Sequence, residues 1–118
     1  MIEPEQFDVI DLIVDVPEAN LRAGARGAIV DCYSDGSYEV EFTNDVGETI
    51  ALCALSADQF IVVWKAETRT WLPVSDQVAA LMTRLPQEAR QEVLDFARFL
   101  AQQKQSKEVS APTPASPL

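Results

Sequence analysis

Chemistry needs nucleophiles, acids and bases set close together, and this sequence offers few of them. It contains no histidine. That removes Ser-His-Asp and Cys-His catalysis and every histidine metal site. The two cysteines, Cys32 and Cys53, fit no metal-binding spacing. Each falls in an apolar run with no base beside it, so both read as buried structural thiols. The glycines match neither a phosphate-cradling loop nor a dinucleotide fingerprint. Glu39 and Glu41 stand two residues apart, which places both on one face of a strand. Such a pair could do acid–base work, but two glutamates on the wet side of a hairpin are the ordinary case. Asp8, Asp11, Asp31 and Asp35 would gather with them if the strands pair. That would make an acidic docking patch or a weak cation site, not a reaction centre. The expectation is a protein that is not an enzyme and uses no cofactor and no metal.

The elements that must carry these residues can be placed in order. Phe7 to Val14 reads as a first strand, ended by Pro17, which cannot continue a ladder. A long loop follows to Gly27. Ala28 to Tyr33 is a second strand, and Asp35-Gly36 is a hairpin turn. Ser37 to Thr43 is the clearest strand. Tyr38, Val40 and Phe42 fall on one face, and Glu39, Glu41 and Thr43 on the other. Asn44 to Glu48 turns the chain into a fourth strand, Thr49 to Leu55. Ser56 to Gln59 reads as one tight helical turn before a last strand, Phe60 to Lys65.

Ala66 to Val74 is a linker. Ser75 is a suitable N-cap for a helix with Val78, Leu81, Met82 and Leu85 on one stripe. Leu85-Pro86 ends it and starts another helix, Gln87 to Gln103, with Pro86 in the first turn. From Ser106 the chain is proline-rich, small and polar, the composition of a disordered tail. Its Pro114 and Pro117 have the spacing of a segment that docks in an aromatic groove, although an unused tail is the simpler reading.

The predicted fold class is therefore α+β: a small five-stranded antiparallel SH3-like barrel, a C-terminal helical hairpin and a disordered tail. The expected boundaries are 1–65 for the barrel, 66–74 for the linker, 75–105 for the hairpin and 106–118 for the tail. A barrel of about 65 residues is close to the lower limit for independent stability.

Charge of this size ordinarily serves solubility, and a sharper reading of it narrows the partners. The formal net charge is −10, and residues 1–65 hold 13 acids against 3 bases. Nucleic acid and anionic membranes would be repelled by such a barrel, whereas a basic protein would be attracted. No run approaches the length of a membrane span. The acidic start MIEPEQFD is unlike a signal peptide, and a cytoplasmic protein with reduced thiols is expected.

Aromatic residues could form a peptide groove, the set being Tyr33, Tyr38, Phe42, Trp64 and Trp71. The alternation assigns Tyr38 and Phe42 to the core. Trp64 and Trp71 are expected to hold the helices against the sheet. In the last helix Ala89, Val93, Leu94, Phe96, Ala97, Phe99 and Leu100 spread over roughly 220°. The preceding helix should cover Val93, Phe96 and Leu100 and leave Leu94 and Phe99 at wet margins. The expected partner-binding residues are Leu94, Phe96, Phe99, Leu100, Trp71, Glu39 and Glu41. The expected occupant is a protein partner with basic character, a second copy of the chain through the last helix, or the chain's own barrel.

Two resemblances add to this. The segments at Phe7–Glu18, Gly24–Tyr33, Tyr38–Phe42 and Thr49–Phe60 resemble a bacterial family of uncharacterised small proteins, common in cyanobacteria. That resemblance implies an SH3-like barrel, and some members are encoded near toxin–antitoxin genes. Leu85-Pro86, Glu92-Val93-Leu94-Asp95-Phe96 and Phe99-Leu100 resemble short helical VapB-like antitoxin-associated proteins. This sequence departs from a standard antitoxin in showing no evident basic N-terminal DNA-binding segment. The implied function is a binding module that clamps or neutralises a protein partner, with an accessory or assembly subunit of a larger complex as the alternative.

Overall fold

The computed structural model describes residues 2–110, with side chains described as far as residue 104. The fold is α+β: one antiparallel sheet of six strands and two α-helices. The strands are β1 (Val9–Leu12), β2 (Arg26–Cys32), β3 (Tyr38–Thr43), β4 (Thr49–Leu55), β5 (Phe60–Lys65) and β6 (Thr70–Trp71). Their spatial order is β4-β3-β2-β1-β5-β6. The hydrogen-bonded ladder thus ends at β4 and β6 and does not close on itself. The helices are α1 (Val74–Met82) and α2 (Gln87–Ser110). The chain divides into two compact units between Arg84 and Leu85, so α1 belongs to the unit that holds the sheet.

The alternation that predicted β3 is what the core uses. Val40 and Phe42 are buried and Tyr38 packs against them, while the intervening glutamates stay half-buried. Ile10, Leu12, Ile29, Leu55 and Phe60 complete the centre. Tyr38 meets Phe60 edge to face, with ring centroids 5.6 Å apart. Phe42 packs so closely on β2 that Gly27 has room for no side chain. A Cβ there would lie 2.8 Å from Phe42 Cε2 and 2.9 Å from the Glu41 carbonyl oxygen.

Turn chemistry sets the register. Gly36 adopts φ +89 in the β2–β3 hairpin, and Asp35 Oδ1 accepts hydrogen bonds from the Ser37 amide and hydroxyl at 2.9 and 2.6 Å. Those two bonds hold the Asp35 carboxyl below its ordinary pKa, the hydroxyl bond first. Gly47, at φ +87, closes the β3–β4 turn, where Asn44 Oδ1 takes the amides of Val46 and Glu48. Before β5 the expected tight turn is a 3-10 helix, Ala57–Gln59, closed by a capping box between Ser56 and Gln59.

Several expectations change. The barrel was expected to have five strands, whereas a sixth forms inside the segment read as a linker: Trp71 pairs with Trp64, and Thr70 with Lys65. β1 is half the expected length. Phe7 sits at φ +75, outside the extended region, and so cannot start the strand. Ser75 does not cap α1; the helix begins one residue earlier with Pro73 at the cap, and no side chain caps it. α2 runs on to Ser110 through the first residues of the expected tail, because no proline occurs between Pro86 and Pro112. Pro114 and Pro117 lie outside the described residues.

Candidate functional site

The deepest polar group in the first unit is Asp8, which is fully buried. Its Oδ1 accepts the Ala66 amide at 2.9 Å. Its Oδ2 accepts the Glu5 amide at 2.9 Å and Lys65 Nζ at 2.6 Å. Lys65 also donates to Glu5 Oε1 at 2.8 Å and to the Glu3 carbonyl at 3.0 Å. Burial pulls the Lys65 pKa down, but its hydrogen bonds to Asp8 and Glu5, together with their charges, outweigh it and hold it above its ordinary value. All three Lys65 donors and both Asp8 oxygens are engaged by the chain itself. Asp8 is thus a structural knot tying the N-terminal arm, β1 and the end of β5, and it does not join an acidic surface cluster.

The other predicted acids disperse as well. Asp11 pairs with Arg26 at 2.7 Å, Asp31 accepts the Cys32 amide, and Asp35 serves its turn. Among the described residues no group of three or more His, Cys, Asp or Glu side chains could hold a metal ion. Cys32 is exposed, contrary to the expectation of a buried thiol, because β2 reaches the hairpin there; Cys53 is half-buried on β4. Desolvation, then the charge of Asp31, pushes the Cys32 thiol up. Desolvation, then Glu39, does the same for Cys53. Both shifts oppose the thiolate a nucleophile needs.

Glu39 and Glu41 remain together on the outer face of β3. Cross-strand pairing sets Glu41 beside Leu52 and Glu39 beside Ala54 of β4. Each is held by a neighbouring hydroxyl: Tyr33 Oη donates to Glu39 Oε1 at 2.9 Å, and Thr49 Oγ1 donates to Glu41 Oε2. The bond to Glu39 raises the Tyr33 pKa. Beside these carboxylates β4 presents Ile50 and Leu52, 57% and 58% exposed.

Trp71 lies on β6 and is exposed, its ring 5.0 Å beneath the Arg26 guanidinium. It meets an arginine at the sheet surface. On α2 the expected residues share one property. Leu94, Phe96, Phe99 and Leu100 are 42–61% exposed, Phe96 the most. Phe96 and Leu100, expected under cover, are as open as the margins. Phe96 and Phe99 stack with centroids 6.2 Å apart, and Val93 is half-buried.

One feature escaped sequence reasoning. A cavity of about 380 Å³ opens between the N-terminal arm (Ile2, Pro4), β5 (Ile61, Val62) and α1 (Ala79, Ala80). Arg84 lies at its edge, donating to the carbonyls of Ala80 and Ala57 at 2.9 and 2.7 Å. Its walls come from well-separated segments, so no spacing in the sequence announces it. The small side chains at 79 and 80 are the only local hint.

Comparison with known proteins also finds two parts, but the second match begins inside α1, which the structure groups with the sheet. Residues 6–62 are similar to the family described as "Domain of unknown function (DUF4926)". Residues 77–116 are similar to the family described as "Protein of unknown function (DUF2281)". No curated protein matches the chain, and no solved structure does. Among the described residues, no helix is long and apolar enough to cross a membrane.

Proposed function

We propose that the chain is a non-catalytic protein-binding module and that a partner protein docks on the apolar side of α2. The observation that carries this is the exposure of Leu94, Phe96, Phe99 and Leu100 on one helix. Val93, Phe96 and Leu100 recur at i, i+3 and i+7, the anchor spacing of a helix laid in a groove. A helix of this kind gains most of its stability from burying such a stripe. The first unit, on this reading, is an SH3-like barrel. Strand order β4-β3-β2-β1-β5 and the helical turn before β5 support that, as do the shifts of register that bend three of its ladders.

The form of binding we favour is antitoxin-like: the chain clamps and neutralises its partner. The test is co-expression with the product of the neighbouring gene, using the native chain and a Phe96→Ser, Leu100→Ser variant. Rescue of growth by the native chain and its loss in the variant, with helicity unchanged, is the expected result. Co-purification without any effect on growth would instead identify an accessory or assembly subunit. If the variant captures the partner as well as the native chain does, α2 is not the docking face.

A further inference from the structure

We infer that the outer edge of β4 is a second docking surface, one that accepts an extended basic segment of another protein as an added strand. This goes beyond the α2 face and rests only on the broader reading of the chain as a binding module. Three observations converge on it.

β4 is a terminal strand of the sheet. It is seven residues long and contains no proline and no charged side chain. Sheet edges are ordinarily blunted by lysine, proline or a very short strand, because their outward N–H and C=O groups invite pairing. β4 has none of these protections, whereas the opposite edge, β6, is only two residues long.

The outward side chains of β4 are apolar. Ala51, Cys53 and Leu55 turn to the core, while Ile50, Leu52 and Ala54 face out and are exposed. Glu39 and Glu41 lie one strand further in, beside Ala54 and Leu52. Neither has a salt bridge among the described residues; their only partners there are the hydroxyls of Tyr33 and Thr49. The order from the edge inward is thus open backbone, apolar row, acidic row.

A lysine or arginine side chain has the same order, with an aliphatic stem and a cationic head. A strand laid against β4 would stand about 10 Å from β3, two strand spacings away. A basic side chain from that strand and a glutamate from β3 close that gap between them. The stem lies over Leu52 or Ile50, and the head meets Glu41 or Glu39. Alternate residues of a strand share a face, so two basic residues two apart would meet both glutamates. A second copy of this chain fits less well. It carries the same net charge of −10, and its β4 has no cation to offer.

The experiment titrates the full ¹⁵N-labelled chain with a synthetic amidated peptide of alternating lysine and valine. A peptide of alternating glutamate and valine is the control. The expected result is chemical-shift change and amide protection along Thr49–Leu55 with the lysine peptide only, weakened by added salt. A Glu39→Lys, Glu41→Lys variant should lose about tenfold or more of that affinity and gain affinity for the glutamate peptide. The Phe96→Ser, Leu100→Ser variant should bind the lysine peptide as the native chain does, which separates this surface from α2. Shifts located elsewhere, equal binding of the two peptides, no binding, or a dimer formed through β4 would each overturn the proposal.

Discussion

Replacing Asp8 by alanine tests whether the knot at the end of β1 holds the sheet together. The substitution removes the acceptor for the Ala66 and Glu5 amides and for Lys65. Breaking a buried ion pair costs about 3–5 kcal/mol, chiefly because one charge stays behind. Lys65 would keep Glu5 and the Glu3 carbonyl, which lowers that figure. The orphaned Ala66 amide adds about 1–3 kcal/mol. A net loss of about 3–5 kcal/mol follows, a large share of the 5–15 kcal/mol typical of a domain. Asp8→Asn should do little better, because its NH2 would face the Ala66 amide in one orientation and both Lys65 and the Glu5 amide in the other. The double variant Asp8→Ala, Lys65→Met removes both charges and should fall short of the sum of the single losses by about 2 kcal/mol. Urea unfolding followed by tryptophan fluorescence measures this directly, since Trp64 adjoins Lys65. A loss under about 1 kcal/mol for Asp8→Ala, or single losses that simply add, would refute the coupling argued here.

Three further outcomes are expected. Phe42→Ala should cost about 3–5 kcal/mol by opening a cavity, while Glu41→Ala costs little; thermal melts in the reverse order would mean that β3 is off by one residue. Gly27→Ala should cost about 1–3 kcal/mol by overpacking, and a Phe42→Leu background should recover part of it, read as a rise in Tm. Stability should hold up to about pH 8.5, the ordinary thiol value, and decline above it. The Cys32, Cys53, Lys65 and Tyr33 pKa values are raised in the fold, so the folded state binds those protons more tightly and loses that advantage as pH climbs through the folded values. A pH series of melts checks this, and Tyr33→Phe should soften the decline.

What the sequence revealed depended on periodicity. The alternation of Tyr38, Val40 and Phe42 spans a whole strand, and the glycines at 36 and 47 mark turns that only a positive φ permits, so β2 to β5 were legible. β6 has two residues and therefore no period to read. Asp8 was misread for a physical reason: a carboxylate within an apolar run looks like a solvent-facing position unless its cation is known. That cation lies 57 residues away. The Glu39–Glu41 pair was legible as a shared face, but its apolar neighbours on β4 emerge only from the register. The reach of α2 to Ser110 was hidden because Gln, Ser, Lys and Glu fit a helix as readily as a tail.

The position of β1 has a consequence for synthesis. It lies between β2 and β5, and so it must wait as an unfinished interior strand while the ribosome makes everything up to Lys65. Pairings between remote residues are slow to form, and an open strand edge is vulnerable to aggregation in the meantime. The β2–β3–β4 meander has only short hairpins to close and can assemble first. It would offer β1 one finished neighbour and leave its other side bare. The Asp8–Lys65 bond then forms at the last stage and acts as a latch on a nearly complete sheet. Slowed translation just before Phe60 should therefore favour the latch-open state, with Ile10 and Leu12 within reach of chaperones for as long as the pause lasts.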